Sequence, residues 1–360
     1  MLTPRPPGSN FKPFVYGTAL ESNYSAASTI NDAPLIRGSY RPQNYENNFL
    51  GPVTLRYALK ESRNVPTVRL FDQLGSDKVL AFAAKFGFQT QNFPQYDLTV
   101  ALGSQDVKPI EMVTAYSAIA NGGYKVEPWF IKQITDLSNQ RVYKSEPVVV
   151  CQRVAACTGQ APVDRPSIGP SLTPNESGIN EIAQANPDTY HSAPQIIDPR
   201  IAYILNSMLR SVVEEGSGQG VQRALRRGDL MGKTGTTNGP QELWFSGFNA
   251  DIATTVFVGF DQPASLGERE QGASVAVPIW IDYMRVALEN SPENVMQRPD
   301  GLVDRLIDKT TGALATPGDA NTIFEYFRIE NAPQPLPDTQ TPSNSTENQG
   351  EEELSTEILF

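Results

Sequence analysis

Apolar residues recur at helical spacing between Gly51 and Gly123, broken by clear stop signals, and runs over 54–60, 65–74, 79–86 and 111–120 read as helices. Ser76 and Gly87 bracket the third as N-cap and end signal, Pro109 opens the fourth, and Gly122-Gly123 closes it. The pattern then turns strand-like. Segments 129–135 and 141–144 flank the turn-forming 136–140, and Val148, Val149 and Val150 extend that pairing. An irregular insertion of about 151–197 follows, rich in Pro, Ser, Asn and Gly without sustained periodicity.

Order resumes at Asp198-Pro199, an N-cap followed by proline at the first helical position. Ile201, Ile204, Leu205, Met208, Leu209 and Val212 then share one helical face, which Gly216 ends. Three strand-like runs, 230–236, 243–249 and 252–260, are joined by short links containing Asn238-Gly239 and Asn249-Ala250-Asp251, as suits an antiparallel meander. The third run is apolar on both faces and reads as an interior strand. A last amphipathic helix over 275–288, with Pro278 near its start, covers one face of the sheet. The predicted fold class is α+β: an antiparallel sheet flanked by helices, with an all-helical subdomain. Residues 1–290 form the main domain and 291–330 an extension, while polar, proline-spaced sequence from 331 to 360 is too poor in apolar residues to order itself.

Charge and composition narrow the functions. Forty acidic residues against 29 basic ones give a net charge of −11, which argues against general affinity for nucleic acid or anionic membranes. Part of that charge lies in the solvated tail, which has acidic side chains and no basic one. No run approaches the roughly 18 consecutive apolar residues of a membrane span, and residues 1–10 have no signal-peptide pattern. The single histidine, His191, sits in polar, proline-containing sequence and reads as a surface residue. No multi-histidine metal site is expected, no cofactor is called for, and any nucleophilic catalysis must use a base other than histidine. Cys151 and Cys157 lack the second ligand pair of a zinc site; a small loop-closing disulfide and two free thiols both fit their spacing.

Chemistry enters at Pro7-Gly8-Ser9-Asn10-Phe11-Lys12, which sets Ser9 and Lys12 three apart at a predicted helix start, on one face. A lysine depressed by burial and a neighbouring cation can take a serine proton in its neutral form. Pro13 removes a backbone donor there and predicts a distorted first turn. Serine and lysine at this spacing arise often by chance. Two further elements change that balance. Ser62-Arg63-Asn64 falls between two helical runs and offers a hydroxyl and an amide from one turn. Lys233-Thr234-Gly235-Thr236 lies on the first meander strand, where Gly235 admits close backbone approach while Lys233 and the threonine hydroxyls can hold a carboxylate. Each alone is compatible with ordinary structure, an interhelix turn and a strand edge.

Together and in this order they resemble the S-x-x-K, S-D-N and K-T-G signature of penicillin-binding proteins and class A β-lactamases. The longer segments PGSNFKPFVYGTALE, NDAP, RPQNY, GPVTLRYALKESRNVPTVRL, ALGSQDVKPIEMVTAYSAIANGG and GKTGTTN are similar to class A, bifunctional penicillin-binding proteins over most of residues 7–290. The resemblance implies a peptidoglycan DD-transpeptidase in which Ser9 is the nucleophile that attacks the D-Ala-D-Ala bond of a donor stem peptide. Lys12 would be its base, Ser62 a proton relay and Asn64 the holder of the donor amide. Lys233, Thr234, Gly235 and Thr236 would line the carboxylate site, and the N–H groups of Ser9 and Thr236 would form the oxyanion hole. Expected partners are the donor stem peptide, an amine acceptor, β-lactam antibiotics and other cell-wall synthesis proteins, with no nucleic acid. The expected location is the periplasm, with an inner-membrane anchor in the full-length protein, and there Cys151 and Cys157 are expected to close their loop.

Three departures accompany the resemblance. Ser9 stands near the N-terminus, so an anchor, a glycosyltransferase domain and two upstream strands of the sheet are expected to be missing from this sequence, leaving an apolar strand edge. Arg63 occupies the aspartate position of S-D-N, and Glu242 stands where aspartate is expected. A DD-carboxypeptidase would use the same residues with water as acceptor, and a non-catalytic β-lactam or stem-peptide sensor would keep the site without turnover. A β-lactamase would need a deacylating base, for which no E-x-x-x-N segment stands out between Asn64 and Lys233.

Overall fold

The computed structural model describes residues 3–150 and 191–334. Cys151 and Cys157, most of the expected insertion and nearly all of the acidic tail lie outside them. A 3-10 turn over Gly8–Phe11 runs into helix α1 (Lys12–Glu21), with Pro13 in its first turn where a missing N–H is tolerated. This is the distorted start that Pro13 predicts. Every residue from Lys12 to Leu20 is buried, so α1 is the central helix of the molecule and has no polar face.

Strands β1 (Thr29–Asp32) and β2 (Gly51–Thr54) pair antiparallel and lead into α2 (Leu55–Lys60), capped by the Thr54 hydroxyl. Then come α3 (Asn64–Leu74), α4 (Ser76–Lys85) and α5 (Pro109–Ala120). Ser76 is the first residue of α4, with Gly75 as its cap at φ 87°. The hairpin of β3 (Gln133–Thr135) and β4 (Arg141–Lys144) forms as expected. Its expected continuation does not: β5 (Val148–Val149) pairs in parallel with β6 (His191–Ser192). Helix α6 (Pro199–Glu214) is capped by Asp198 and packs its apolar face on α1, α2 and α5; the short α7 (Gln219–Leu225) follows.

The meander is β7 (Met231–Thr236), β8 (Glu242–Phe248) and β9 (Ala253–Gly259), in that spatial order and antiparallel. Alternation puts Trp244 and Phe248 into the large core around α1 and Phe245 into a second core with Trp280. Among the described residues β9 pairs only with β8, and its residues are half-buried. The last helix begins later than the pattern suggests, because a π-helical turn at Gly272–Ala276 precedes α8 (Val277–Ala287). The segment read as a plain extension holds an antiparallel pair, β10 (Leu302–Asp308) and β11 (Thr322–Arg328), docked against α2 and α6.

Candidate active site

The cleft between α1, the turn after α2 and strand β7 gathers the residues singled out in the sequence. Ser9, Asn64 and Thr236 line an open cavity of about 480 Å³. Gly8 carries φ +55°, and a Cβ there would come within 2.6 Å of the Thr236 carbonyl oxygen. A Cβ on Gly235 would collide with the Pro7 carbonyl. These two glycines let the backbone that carries Ser9 lie directly against the backbone of β7. Tyr116 donates to the Asn10 backbone and side-chain oxygens at 2.9 and 2.6 Å, and Asn10 Nδ2 donates to Ser246 Oγ at 2.9 Å. The 3-10 turn bearing Ser9 is thus pinned to both α5 and β8.

Two buried lysines meet at Ser62. Lys12 Nζ donates to the Ser62 carbonyl at 2.5 Å, Asn64 Oδ1 at 2.8 Å and the Arg63 carbonyl at 3.2 Å, and lies 3.3 Å from Ser62 Oγ. Lys233 Nζ donates to Ser62 Oγ at 2.8 Å and to the Thr234 carbonyl at 3.1 Å. Burial, reinforced by Lys233, pushes the Lys12 pKa well below its ordinary value; Arg63 adds to this and Glu46 opposes it. Three carbonyl-type acceptors also favour the ammonium, yet two of them can be served by a neutral amine, leaving its lone pair free. Loss of charge by burial is the stronger influence. Burial alone lowers Lys233 to about 7.

Ser62 adopts φ 56°, a left-handed conformation uncommon for a non-glycine residue. The surroundings hold it there. Ser62 N donates to the Leu59 carbonyl and Arg63 N to the Ala58 carbonyl. Arg63, the departure from S-D-N, turns away from the cleft. Its Nε and Nη2 donate to Asp32 Oδ2 at 2.9 and 2.6 Å, and its Nη1 reaches Glu46 at 2.8 Å. Asn44 bridges the same carboxylate to the turn, donating to Asp32 Oδ1 at 2.7 Å and accepting from the N–H groups of Asn64 and Val65 at 3.0 Å each. Asp32 belongs to the NDAP segment and Asn44 to RPQNY. The sequence assigns neither a role, because nothing local to Arg63 marks its guanidinium as buried and in need of an acid.

On the β7 side, Thr234 Oγ1 lies 3.0 Å from Ser217 Oγ. Thr236 Oγ1 accepts from Gly272 N–H at 3.0 Å, so its own proton is free to donate into the cleft. That contact comes from the π-helical turn, a distortion common at functional sites. Glu242 is buried and accepts from Thr237 Oγ1 at 2.7 Å, closing the β7–β8 turn with its longer side chain. Asn64 has both amide atoms engaged, Oδ1 by Lys12 and Nδ2 by the Gln43 carbonyl at 2.9 Å. No acidic, histidine or cysteine cluster that could hold a metal occurs among the described residues.

The family described as the penicillin binding protein transpeptidase domain matches residues 1–285, ending before the β10–β11 pair. Penicillin-binding protein 1A of Pseudomonas aeruginosa is 42% identical over 341 residues, covering 91% of this chain and 41% of that protein. Penicillin-binding protein 1A of Neisseria lactamica is 37% identical over 83% of this chain and 33% of its own length. The chain therefore spans about two fifths or less of these relatives. The crystal structure of Penicillin-Binding Protein 1A from Haemophilus influenzae is similar with a TM-score of 0.79 and 30% identity, covering 93% of this chain and 49% of that one. An imipenem acyl-enzyme complex of penicillin-binding protein A from Mycobacterium tuberculosis shares the fold, with a TM-score of 0.58, 19% identity and coverage of 79% and 61%.

Proposed function

The chain belongs to the penicillin binding protein transpeptidase family, and from that premise we propose that it cross-links peptidoglycan through an acyl-enzyme on Ser9. Neutral Lys12 takes the Ser9 hydroxyl proton as Oγ attacks the carbonyl of the D-Ala-D-Ala bond. The oxyanion is held by the N–H groups of Ser9 and Thr236, whose backbones Gly8 brings together. The C–N bond breaks and the departing D-alanine amine receives a proton from Ser62, which is resupplied by the lysines that flank it. An amine from a neighbouring strand then attacks the ester, forms the new amide and restores Ser9. Lys233 and the Thr234 and Thr236 hydroxyls hold the donor carboxylate. β-Lactams, which carry an acyl bond and a carboxylate at comparable spacing, acylate the same serine. Such a substrate places the reaction in the periplasm; among the described residues no helix is long and apolar enough to cross a membrane.

The observation that carries this reading is the convergence of Lys12 and Lys233 on the Ser62 hydroxyl, at 3.3 and 2.8 Å, beside the cleft that Ser9 lines. A proton path with no histidine follows from it. The test is a labelled penicillin: the expected outcome is one covalent adduct, mapped by mass to Ser9 and absent from Ser9→Ala. An adduct on any other residue would overturn the assignment.

A further inference from the structure

Helix α2 ends at Lys60, two residues before Ser62, so whatever fixes its tilt fixes the turn that both lysines share. Its principal tether is Arg56. All five guanidinium protons are used: Nε and Nη2 donate to the two oxygens of Glu325 at 2.6 Å each, Nη2 also to Ser207 Oγ at 2.8 Å, and Nη1 to the Ser207 carbonyl at 2.8 Å and Ser211 Oγ at 2.9 Å. The Glu325 side chain is fully buried and that of Arg56 is 11% exposed. A bidentate pair taken out of water in this way fixes direction more than it adds stability. Glu325 lies on β11, in the segment beyond the family match.

The same strand reaches the other catalytic element. Arg328 Nη2 donates to the Leu20 carbonyl and to Asn23 Oδ1 at 3.1 Å each, at the C-terminal end of α1, the helix that begins with Lys12. Seven residues of β11 therefore span the outer ends of both helices that bring Lys12 and Ser62 together. We infer that the β10–β11 pair is a positioning element of the active site, and that Glu325 acts through Arg56 to hold the Ser62 turn at its distance from Lys12. Glu325 touches neither substrate nor reacting atoms. The inference rests on the acyl-serine reading above, and misplacement by about 1 Å is enough to slow such chemistry by about a hundredfold.

The experiment measures β-lactam binding and acylation separately in the protein carrying Glu325→Gln. The acylation rate constant at saturating β-lactam is expected to fall by about tenfold to a hundredfold while the non-covalent dissociation constant changes less than about twofold. Because part of the effect of Glu325 runs through the Ser62 hydroxyl, adding Glu325→Gln to Ser62→Ala should bring a clearly smaller further loss than the same change in the wild-type background. A merely structural role would subtract equally in both backgrounds. If Glu325→Gln fails to fold, the neutral pair Arg56→Met with Glu325→Leu restores packing without the directed bonds and is expected to show the same slow acylation. Wild-type acylation by Glu325→Gln or by the neutral pair, or equal losses in the presence and absence of Ser62, would overturn the inference. Failure of the wild-type protein to acylate at Ser9 would instead sink the underlying reading.

Discussion

The two walls of the cleft each present a buried lysine to Ser62, yet they are built differently. Lys12 rises from a helix into the carbonyls of a strained turn, and that turn is braced from behind by the Asp32–Arg63 pair and Asn44. Lys233 stands on a strand whose other polar groups are hydroxyls, Thr234 and Thr236, held by Ser217 and Gly272. The first wall is rigid and presents carbonyl oxygens, suited to keeping an amine still while it exchanges a proton. The second offers Lys233 and the Thr236 hydroxyl, whose proton the Gly272 N–H leaves free, suited to an arriving carboxylate. Equal burial of the same residue type thus gives two roles, decided by the neighbours.

If this division holds, substitutions on the two walls should act on different kinetic constants. Lys12→Ala removes the base and should slow acylation of Ser9 by about 10²–10⁴-fold with the noncovalent affinity for β-lactam nearly unchanged. Stopped-flow acylation across a range of β-lactam concentrations separates the two constants; an intact rate would exclude Lys12 as base. On the facing wall, Thr236→Val deletes a hydroxyl aimed at the carboxylate. Its expected effect is smaller, a loss of about tenfold to a hundredfold in affinity with little change in the acylation rate constant, since one hydrogen bond to a charged group contributes about 1.5–3 kcal/mol. A rate defect without a binding defect would show that the strand wall does more than hold substrate.

Much of this is legible in the sequence. Most of the helices and the meander strands follow from periodicity, and Lys12 and Lys233, on two of the three motifs, meet at Ser62 of the third. What stayed hidden depends on partners distant in sequence. Arg63 reads as a departure until Asp32 and Glu46 are seen beside it, because burial of a guanidinium leaves no local mark. The β10–β11 pair is hard to read from the sequence because its strands are joined by the long 309–321 connection instead of a two-residue hairpin turn, and because Glu325 interrupts the apolar pattern. The parallel pairing of β5 with β6 likewise joins residues some forty positions apart, and the π-helical turn at Gly272–Ala276 is a backbone distortion to which periodicity is blind.

The most direct test of the account is the pH dependence of Ser9 acylation by a β-lactam. Lys12 must be neutral to act, so the rate should rise with pH along a limb whose midpoint lies well below the ordinary lysine value of 10.5. Lys233 is one of the cations that lowers Lys12, so Lys233→Met should move the limb to higher pH, and Lys12→Ala should abolish it. A limb centred near 10.5 in the wild-type protein, or one that persists unchanged in Lys12→Ala, would contradict the claim that a buried, neutral Lys12 activates Ser9.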